Sequence, residues 1–434
     1  MGKILETISS ALSSSTLFNL SPDTNKDHST TKEYGRSCVQ SQSPELLPVS
    51  MKGDLETMQK LVGEYIATHC TSSIQQQETN TTDLYIDPRL RSFINATDPQ
   101  GNAAIHGATF SGYLNVTTFL VSTCGADALQ PNKLGCTPMW LAAGYGHSDV
   151  LQYLLSSLFF AHQDLDEQAF MEALSFRNST GDTPLIAAAS KGHYETCRIL
   201  LDAAHRLNSR DFTIEDEGFI RQKKLLGHVN QSGDTPLSVA IGASHSGEIL
   251  DLLLDRWNGI NNEPEKSSSS SSTKEIIQKI EVSSQSKTAP ISLTNSKGLS
   301  PLLIACERND AISVRKLLSR NALPLLGDGR IQSPLAVASF CGCEDVVKEL
   351  LGTAFGMHLL NVQDIDGHVP LWLAARTGNV RMVKILVDAG AQLDHNADSS
   401  GNGKDDTLTP EGVARKYNKK KVVEFFEDLR QREQ

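Results

Sequence analysis

A short pattern that recurs along the chain limits the possible folds more than any other feature. Gly181-Asp-Thr-Pro-Leu185 returns as Gly233-Asp-Thr-Pro-Leu237. Looser copies occupy residues 101–105, 135–139, 298–302, 331–335, 367–371 and 407–411. An alanine stands four residues after the proline position of every copy, at Ala108, Ala142, Ala188, Ala240, Ala305, Ala338, Ala374 and Ala414. Such self-similarity indicates a repeat architecture, in which each unit packs mainly against its two neighbours.

The columns of this repeat predict a turn followed by two helices. An Asp or Asn three residues before the glycine suits a tight turn, and the glycine supplies positive φ. Thr or Ser before the proline is a good N-cap, and proline fits the first helical turn. A glycine eight residues after the proline is typical of a helix end. A large apolar residue also stands sixteen residues after the proline position, except in the copy at Pro236, where the spacing differs by one residue. This column predicts a second helix whose apolar side faces inward. Its members are Leu120, Leu154, Leu200, Leu317, Leu350, Leu386 and Phe426.

These columns resemble those of ankyrin-repeat proteins, whose unit of about 33 residues carries a Thr-Pro-Leu-His-x-Ala signature. Only His106 keeps the signature histidine, and Trp140 and Trp372 are among the residues that replace it. The resemblance covers residues 43–430 and implies an all-α solenoid of about eight repeats plus a degenerate N-terminal one. Pro48 predicts an irregular first helix in that degenerate repeat.

Composition and repeat spacing divide the chain into four parts. Residues 1–42 are rich in Ser and Thr and are predicted to be disordered. Ankyrin repeats are expected over 43–255 and again, with a terminal cap, over 294–430. The linking segment 256–293 contains an unbroken serine run and is predicted to be disordered. Insertions interrupt the first block near residues 63–94, 156–177 and 203–229. Apolar residues in the second insertion predict a short extra helix.

Composition also narrows the classes of partner and compartment. A net charge of −11 argues against sequence-independent nucleic-acid binding, which needs a basic footprint. The eight cysteines show no disulfide-framework spacing and follow no secretory signal, which favours free thiols in a reducing compartment. No apolar run approaches the roughly 20 residues of a membrane span. We therefore expect a monomeric intracellular protein, cytoplasmic or nuclear, without stable membrane insertion.

A search for catalytic, cofactor and metal motifs finds no complete set. Nucleotide-binding loops, the nucleophile elbow, the zinc-protease helix and the kinase signatures are all missing from the sequence. Cys341 and Cys343 form a close pair, but no second pair has ligand spacing. Asp394, Asn396 and Asp398 imitate part of a calcium loop, yet the glycine that such a loop requires is absent. We predict no enzyme, no cofactor and no metal site.

The ankyrin resemblance implies that protein partners dock on a concave face built from turn tips and first helices. It places variable surface residues six and seven positions after the proline, and aromatic and Arg side chains dominate binding energy when they are buried in an interface. The candidates are Phe110, Tyr145, Lys191, Arg308, Phe340 and Arg376. The turns add Asn102, Lys133, Asp182, Asp234, Lys297, Arg330 and His368.

Three functional classes follow from this reading. The first is a non-catalytic adaptor or scaffold for protein–protein interaction. The second is a regulatory inhibitor or assembly chaperone that masks one partner. The third, a cryptic enzyme or metal protein, would have to use one of the insertions.

Overall fold

The computed structural model describes residues 45–70, 87–161, 167–206, 215–243, 246–258, 291, 293–320, 322, 333–353, 356–364, 367–393 and 409–433. All regular secondary structure within these residues is helical. The chain divides into two compact units, unit 1 (Met1–Arg221) and unit 2 (Gln222–Gln434). The predicted N-terminal tail, nearly all of the serine-rich segment and the calcium-like residues lie outside the described residues.

Unit 1 is built from successive helix pairs. From the N-terminus its helices are α1 (Leu46–Lys52), α2 (Leu55–His69), α3 (Pro88–Ile94), α4 (Ala104–Ser111), α5 (Leu114–Thr118), α6 (Pro138–Gly144), α7 (Ser148–Ala161), α8 (Glu167–Leu174), α9 (Pro184–Lys191) and α10 (Tyr194–Arg206). The first helices α1, α4, α6 and α9 pack side by side in that order, and the second helices α2, α5, α7 and α10 form a second layer. A π-helical turn continues α5. A further helix, α11 (Glu215–Leu226), spans the boundary between the units.

Unit 2 repeats this arrangement. Its helices are α12 (Pro236–Ala240), α13 (Ser246–Asn258), α14 (Pro301–Glu307), α15 (Ala311–Ser319), α16 (Pro334–Cys341), α17 (Glu344–Leu351), α18 (Gly356–Leu359), α19 (Pro370–Thr377), α20 (Val380–Asp388), α21 (Pro410–Lys416) and α22 (Lys420–Glu433). The first helices α12, α14, α16, α19 and α21 pack in sequence, and the second helices α13, α15, α17, α20 and α22 do the same. Each unit is therefore a stack of helix pairs, as the repeat predicted.

The predicted alanine and leucine columns form the buried layers between repeats. All eight alanines of the column are 0% exposed. Six of the seven residues in the predicted large apolar column are exposed by 1% or less, and Phe426 by 4%. Because alanine has no bulk beyond Cβ, neighbouring first helices can approach closely at these positions. Replacing one of the leucines by alanine typically costs about 2–5 kcal/mol in such a core.

The turns between repeats are held by the predicted Asp and Asn column. In the turn of α9, Asn178 Oδ1 accepts the backbone N–H of Thr180 at 3.0 Å and of Asp182 at 2.8 Å. The pattern predicted the first bond, and the second closes the turn further along. Adjacent turns are also joined through the backbone, since Ser179 N donates to Leu134 O at 2.7 Å.

The first position after the turn glycine was wrongly predicted to be part of the binding surface in two copies. Asn102 is 5% exposed and Asp182 is 7% exposed. Asn102 Oδ1 accepts a hydrogen bond from Asn132 Nδ2 at 2.9 Å, and the carbonyl of Asp182 accepts one from Trp140 Nε1 at 3.0 Å. Both residues therefore link one repeat to its neighbour instead of facing a partner.

The first helix and the insertions also differ from expectation. The helix α1 contains Pro48 and is nevertheless regular. Pro48 lies in the first helical turn, where its missing N–H costs nothing. The predicted extra helix in the second insertion is confirmed as α8, and α3 and α11 lie in the other two insertions. The short helix α18 was not expected.

Candidate protein-binding surface

The candidate residues occupy the C-terminal ends of the first helices. Phe110, Phe340 and Arg376 lie in the last turns of α4, α16 and α19. Lys191 is the last residue of α9, while Tyr145 and Arg308 are the C-caps of α6 and α14. We call these positions, six and seven residues after the proline of each repeat, the helix-end row.

In unit 1 the helix-end row contains a packed aromatic pair. The rings of Phe110 and Tyr145 are 4.4 Å apart between centroids and meet edge to face at 63°. Both rings pack against a buried cluster formed by Cys136, Trp140, Leu141 and Ala187. Burial raises the pKa of Tyr145 to about 12, so its hydroxyl stays protonated at neutral pH. This pair supports the stack of repeats as well as facing outward.

Lys191 extends the unit 1 row by one repeat. Its side chain is half-buried, and this burial lowers the pKa of its ammonium group. Lysine often buries its methylene stem and keeps its charge at the surface. The unit 1 row thus combines two aromatic rings with one cation.

The ends of the first helices are fixed by side chains from the following repeat. His147 Nε2 lies 2.9 Å from the carbonyl oxygen of Phe110, and its ring covers Gly112, where a Cβ would come within 2.4 Å of Nδ1. The His193 ring covers Gly146 in the same way, and burial lowers its pKa. Both histidines therefore have a structural role. These contacts clamp the helix-end row into a defined geometry.

In unit 2 the same clamping role falls to a candidate binding residue. Arg308 Nη1 donates a hydrogen bond to the carbonyl oxygen of Ile241, and its side chain crosses Gly242, whose φ is +78°. Arg308 is exposed elsewhere along its side chain. Part of its hydrogen-bonding capacity is thus used within the chain, which no column of the sequence could reveal.

The rest of the unit 2 row exposes aromatic surface beside a cation. Phe340 is 51% exposed. The guanidinium of Arg376 lies 5.6 Å from the ring of Trp372 and 5.5 Å from the ring of Tyr417. Tyr417 is 46% exposed, and the ring of His368 stacks on Trp372 with centroids 3.6 Å apart. The guanidinium of Arg376 therefore lies within cation–π distance of one buried and one exposed aromatic ring.

Tyr417 was missed by the sequence prediction. It stands seven residues after Pro410, so the column that gave the other candidates also contains it. The terminal copy is expected to be a cap, and the predicted candidates do not include its helix-end positions. Lys416, six residues after the same proline, is exposed beside it.

The signature position of the repeat is buried. Trp140 and Trp372 are each 7% exposed, as expected for packing residues with a polar end. His106 is 2% exposed, and its Nδ1 accepts the backbone N–H of Ala103 at 3.1 Å. Burial lowers the pKa of His106 to about 4, so the ring is neutral at physiological pH.

The cysteines of the described residues are free. Cys341 is exposed and Cys343 is buried, and burial raises the pKa of both thiols. Burial also raises the pKa of Cys136 to about 12. A raised pKa disfavours the reactive thiolate. Within the same part of the chain no group of three or more His, Cys, Asp or Glu residues is arranged to hold a metal ion.

Among the helices that the structure describes, none combines the length and the apolar composition that a membrane-spanning segment requires.

Comparison with known proteins agrees with the repeat architecture. A family profile described as "Ankyrin repeats (3 copies)" matches residues 49–166, 105–211, 172–266 and 335–428. The human "Transient receptor potential cation channel subfamily A member 1" is 23% identical over 238 residues, which are 54% of this chain and 17% of that protein. The mouse "Protein phosphatase 1 regulatory subunit 27" is 35% identical over 83 residues, 19% of this chain and 53% of the relative.

A third relative, the human "Notch-regulated ankyrin repeat-containing protein", is 27% identical over 103 residues, 24% of this chain and 84% of that protein. The chain thus spans 17% and 53% of the length of the first two relatives. With repeat profiles matching well over half of its residues, the chain belongs to the ankyrin-repeat family of protein-binding helical solenoids.

Proposed function

We propose that the chain is a non-catalytic adaptor or scaffold that binds partner proteins through its helix-end row. The exposure of Phe340 carries this proposal. Phe340 leaves 51% of its surface in water, while the alanine two residues before it is completely buried. Fully burying a phenylalanine contributes about 1.5–3 kcal/mol, so covering the exposed half contributes roughly 1 kcal/mol to binding.

Rigidity of the row supports the same function. Arg376 is positioned between Trp372 and Tyr417 before any partner arrives. A side chain that is already ordered loses less conformational entropy on association. Aromatic and Arg side chains are also the residues most often found at the energetic centre of interfaces. Phe340, Arg376 and Tyr417 therefore have both the chemistry and the pre-organisation of a binding site.

A regulatory subunit that masks one partner is the second candidate. It is favoured by the similarity to a protein named as a regulatory subunit of protein phosphatase 1, at 35% identity over 83 residues. The two candidates differ in stoichiometry. A masking subunit forms a one-to-one complex and changes the activity of its partner, whereas an adaptor holds two partners at once.

We also infer that this adaptor is a monomer of the cytoplasm or nucleus. The free cysteines of the described residues support a reducing compartment.

The test compares the full-length wild type with Phe340→Ala/Arg376→Ala. Tyr145 is left unchanged because its ring packs against the buried cluster that includes Trp140, and its loss would disturb the fold. The tagged proteins capture partners from the native cell, and quantitative mass spectrometry compares what is retained. We expect a defined set of proteins to fall at least about tenfold in the variant.

Ile312→Ala is the matched control, because Ile312 is 61% exposed but lies on the second helix α15. The control should retain the same partners, and all three proteins should unfold at similar temperatures. Equal capture by the wild type and by the double variant would refute the proposed surface. Mass determination of each purified complex then separates the adaptor from the masking subunit.

A further inference from the structure

The unit 2 helix-end row is basic although the chain is acidic. Across α14, α16, α19 and α21 the row contains Arg308, Arg376 and Lys416 and one acidic residue, Glu307. The whole chain has a net charge of −11. A local excess of cations on an anionic protein attracts a segment of opposite charge.

The excess charge is concentrated at the C-terminal end of the row. Arg308 is bonded to the carbonyl of Ile241, whereas Arg376 and Lys416 are exposed and come from the same repeats as Trp372 and Tyr417. Their closest acidic neighbour on α21, Glu411, is 9% exposed and already pairs with Arg415 and Arg430. The paired Glu411 leaves the charge of Lys416 uncompensated on its own helix.

The charges alternate with aromatic surface at the spacing of the repeats. Phe340 on α16, Arg376 on α19 and Lys416 beside Tyr417 come from three consecutive first helices. Packed helices lie about 8–10 Å apart, and an extended chain in the polyproline II conformation advances about 3.1 Å per residue with three residues per turn. A peptide in this conformation laid across these helices would therefore present a side chain to a new helix end about every third residue.

Building on the proposed protein-binding function, we propose that the unit 2 row binds an extended acidic segment of a partner protein. An apolar side chain of that segment packs on Phe340. Carboxylates about three and six residues further along pair with Arg376 and Lys416. The flanking rings of Trp372 and Tyr417 hold the guanidinium of Arg376 in place for this contact.

The experiment selects peptides without assuming a partner. Phage-displayed random peptides of about 12 residues are panned against the full-length wild type and against full-length Arg376→Glu/Lys416→Glu. Arg381→Glu/Lys421→Glu is the matched control, since it makes the same change in net charge at exposed positions of the second helices α20 and α22. Thermal unfolding of all three proteins verifies that the substitutions leave the fold intact.

We expect the wild type and the control to enrich acidic peptides that contain an apolar residue. The charge-reversed variant should instead enrich basic peptides, because like charges across an interface are strongly unfavourable. For a wild-type peptide with a fluorescent label, Arg376→Glu/Lys416→Glu should weaken binding by about tenfold or more. Raising the salt concentration should weaken it as well.

The outcomes separate this inference from the proposed function. Neutral or basic peptides that bind the wild type but not Phe340→Ala would overturn the proposal of an acidic partner. They would still support the proposed binding surface. Failure to enrich any peptide that depends on Phe340 or Arg376 would overturn both. Sedimentation that shows a dimer abolished by the charge reversal would make a second copy of the chain the occupant, and would also overturn the acidic partner.

Discussion

Acidification should weaken unit 1 through a single buried histidine. His106 is 2% exposed, and its Nδ1 accepts the N–H of Ala103 at the start of α4. Loss of hydration lowers the pKa of His106 from 6.5 to about 4, and it outweighs the opposing effect of the backbone carbonyls of Gln130 and Cys136. The folded ring therefore stays neutral at a pH where the unfolded chain is already protonated.

The sign and size of the effect follow from this difference in pKa. Below pH 6.5 the unfolded state binds the proton more readily, so the free energy of unfolding falls as the pH falls, until the folded ring titrates near pH 4. One pKa unit corresponds to 1.36 kcal/mol, which gives a total loss of about 3 kcal/mol. At pH 5 the same linkage relation gives about 2 kcal/mol.

His106→Gln isolates this contribution, because the Gln side chain keeps an acceptor for the Ala103 N–H but does not titrate. Hydrogen exchange of peptides from α4 gives the opening free energy of the wild type and the variant between pH 7.5 and 5. We expect the advantage of the wild type to shrink by about 2 kcal/mol over that interval. His193, whose pKa is also lowered by burial, is present in both proteins and cancels. Parallel pH profiles would refute the reasoning.

Two further predictions concern the packing between repeats. Ala338→Val adds volume at a position that is 0% exposed, so it should lower the free energy of unfolding measured by urea titration by about 1–3 kcal/mol. The control Ala67→Val, on the exposed face of α2, should lower it by less than about 1 kcal/mol. Equal losses in the two variants would contradict close packing at the alanine column. In Gly101→Ala, an alanine would have to adopt a φ of +83°, and its Cβ would lie only 2.7 Å from Lys133 N. The melting temperature of this variant should therefore fall by several degrees. An unchanged melting temperature would contradict the contact between these turns.

The sequence predicted those parts of the fold that depend on one repeat alone. The buried alanine column, the Asp and Asn bonds within each turn and the glycines at helix ends follow from local geometry, which every copy must satisfy. Contacts between repeats were predicted less well. Asn102 was expected at the surface, but its side chain bonds Asn132 of the next repeat. Nothing in a single copy of the repeat indicates a bond between two repeats.

The candidate site shows the same division. Phe340 and Arg376 were identified because the ankyrin resemblance places their column at the variable surface. The association of Arg376 with Tyr417 required the next repeat, and the bond from Arg308 to Ile241 required the preceding one. The packed state of Tyr145 depends on Phe110 of the neighbouring copy. Position in the column therefore predicts where a side chain lies, but its neighbours decide whether it is available to a partner.

One structural rule explains why the two units present different surfaces. The residue nine positions after the proline usually crosses the helix-end glycine of the preceding repeat, as His147 crosses Gly112 and Lys419 crosses Gly378. In the α14 repeat that residue is Asp310, whose carboxylate instead accepts the N–H of Ser313 and caps α15.

Arg308, which belongs to the helix-end row, crosses the end of the preceding first helix in place of Asp310. A row position that clamps the fold has less capacity to bind a partner. The α19 and α21 repeats have no such conflict, because Asn379 and Lys419 cover the preceding glycines Gly342 and Gly378 and leave the row residues of both repeats outside this contact. We therefore expect partner binding by unit 2 to depend mainly on Phe340, Arg376, Lys416 and Tyr417.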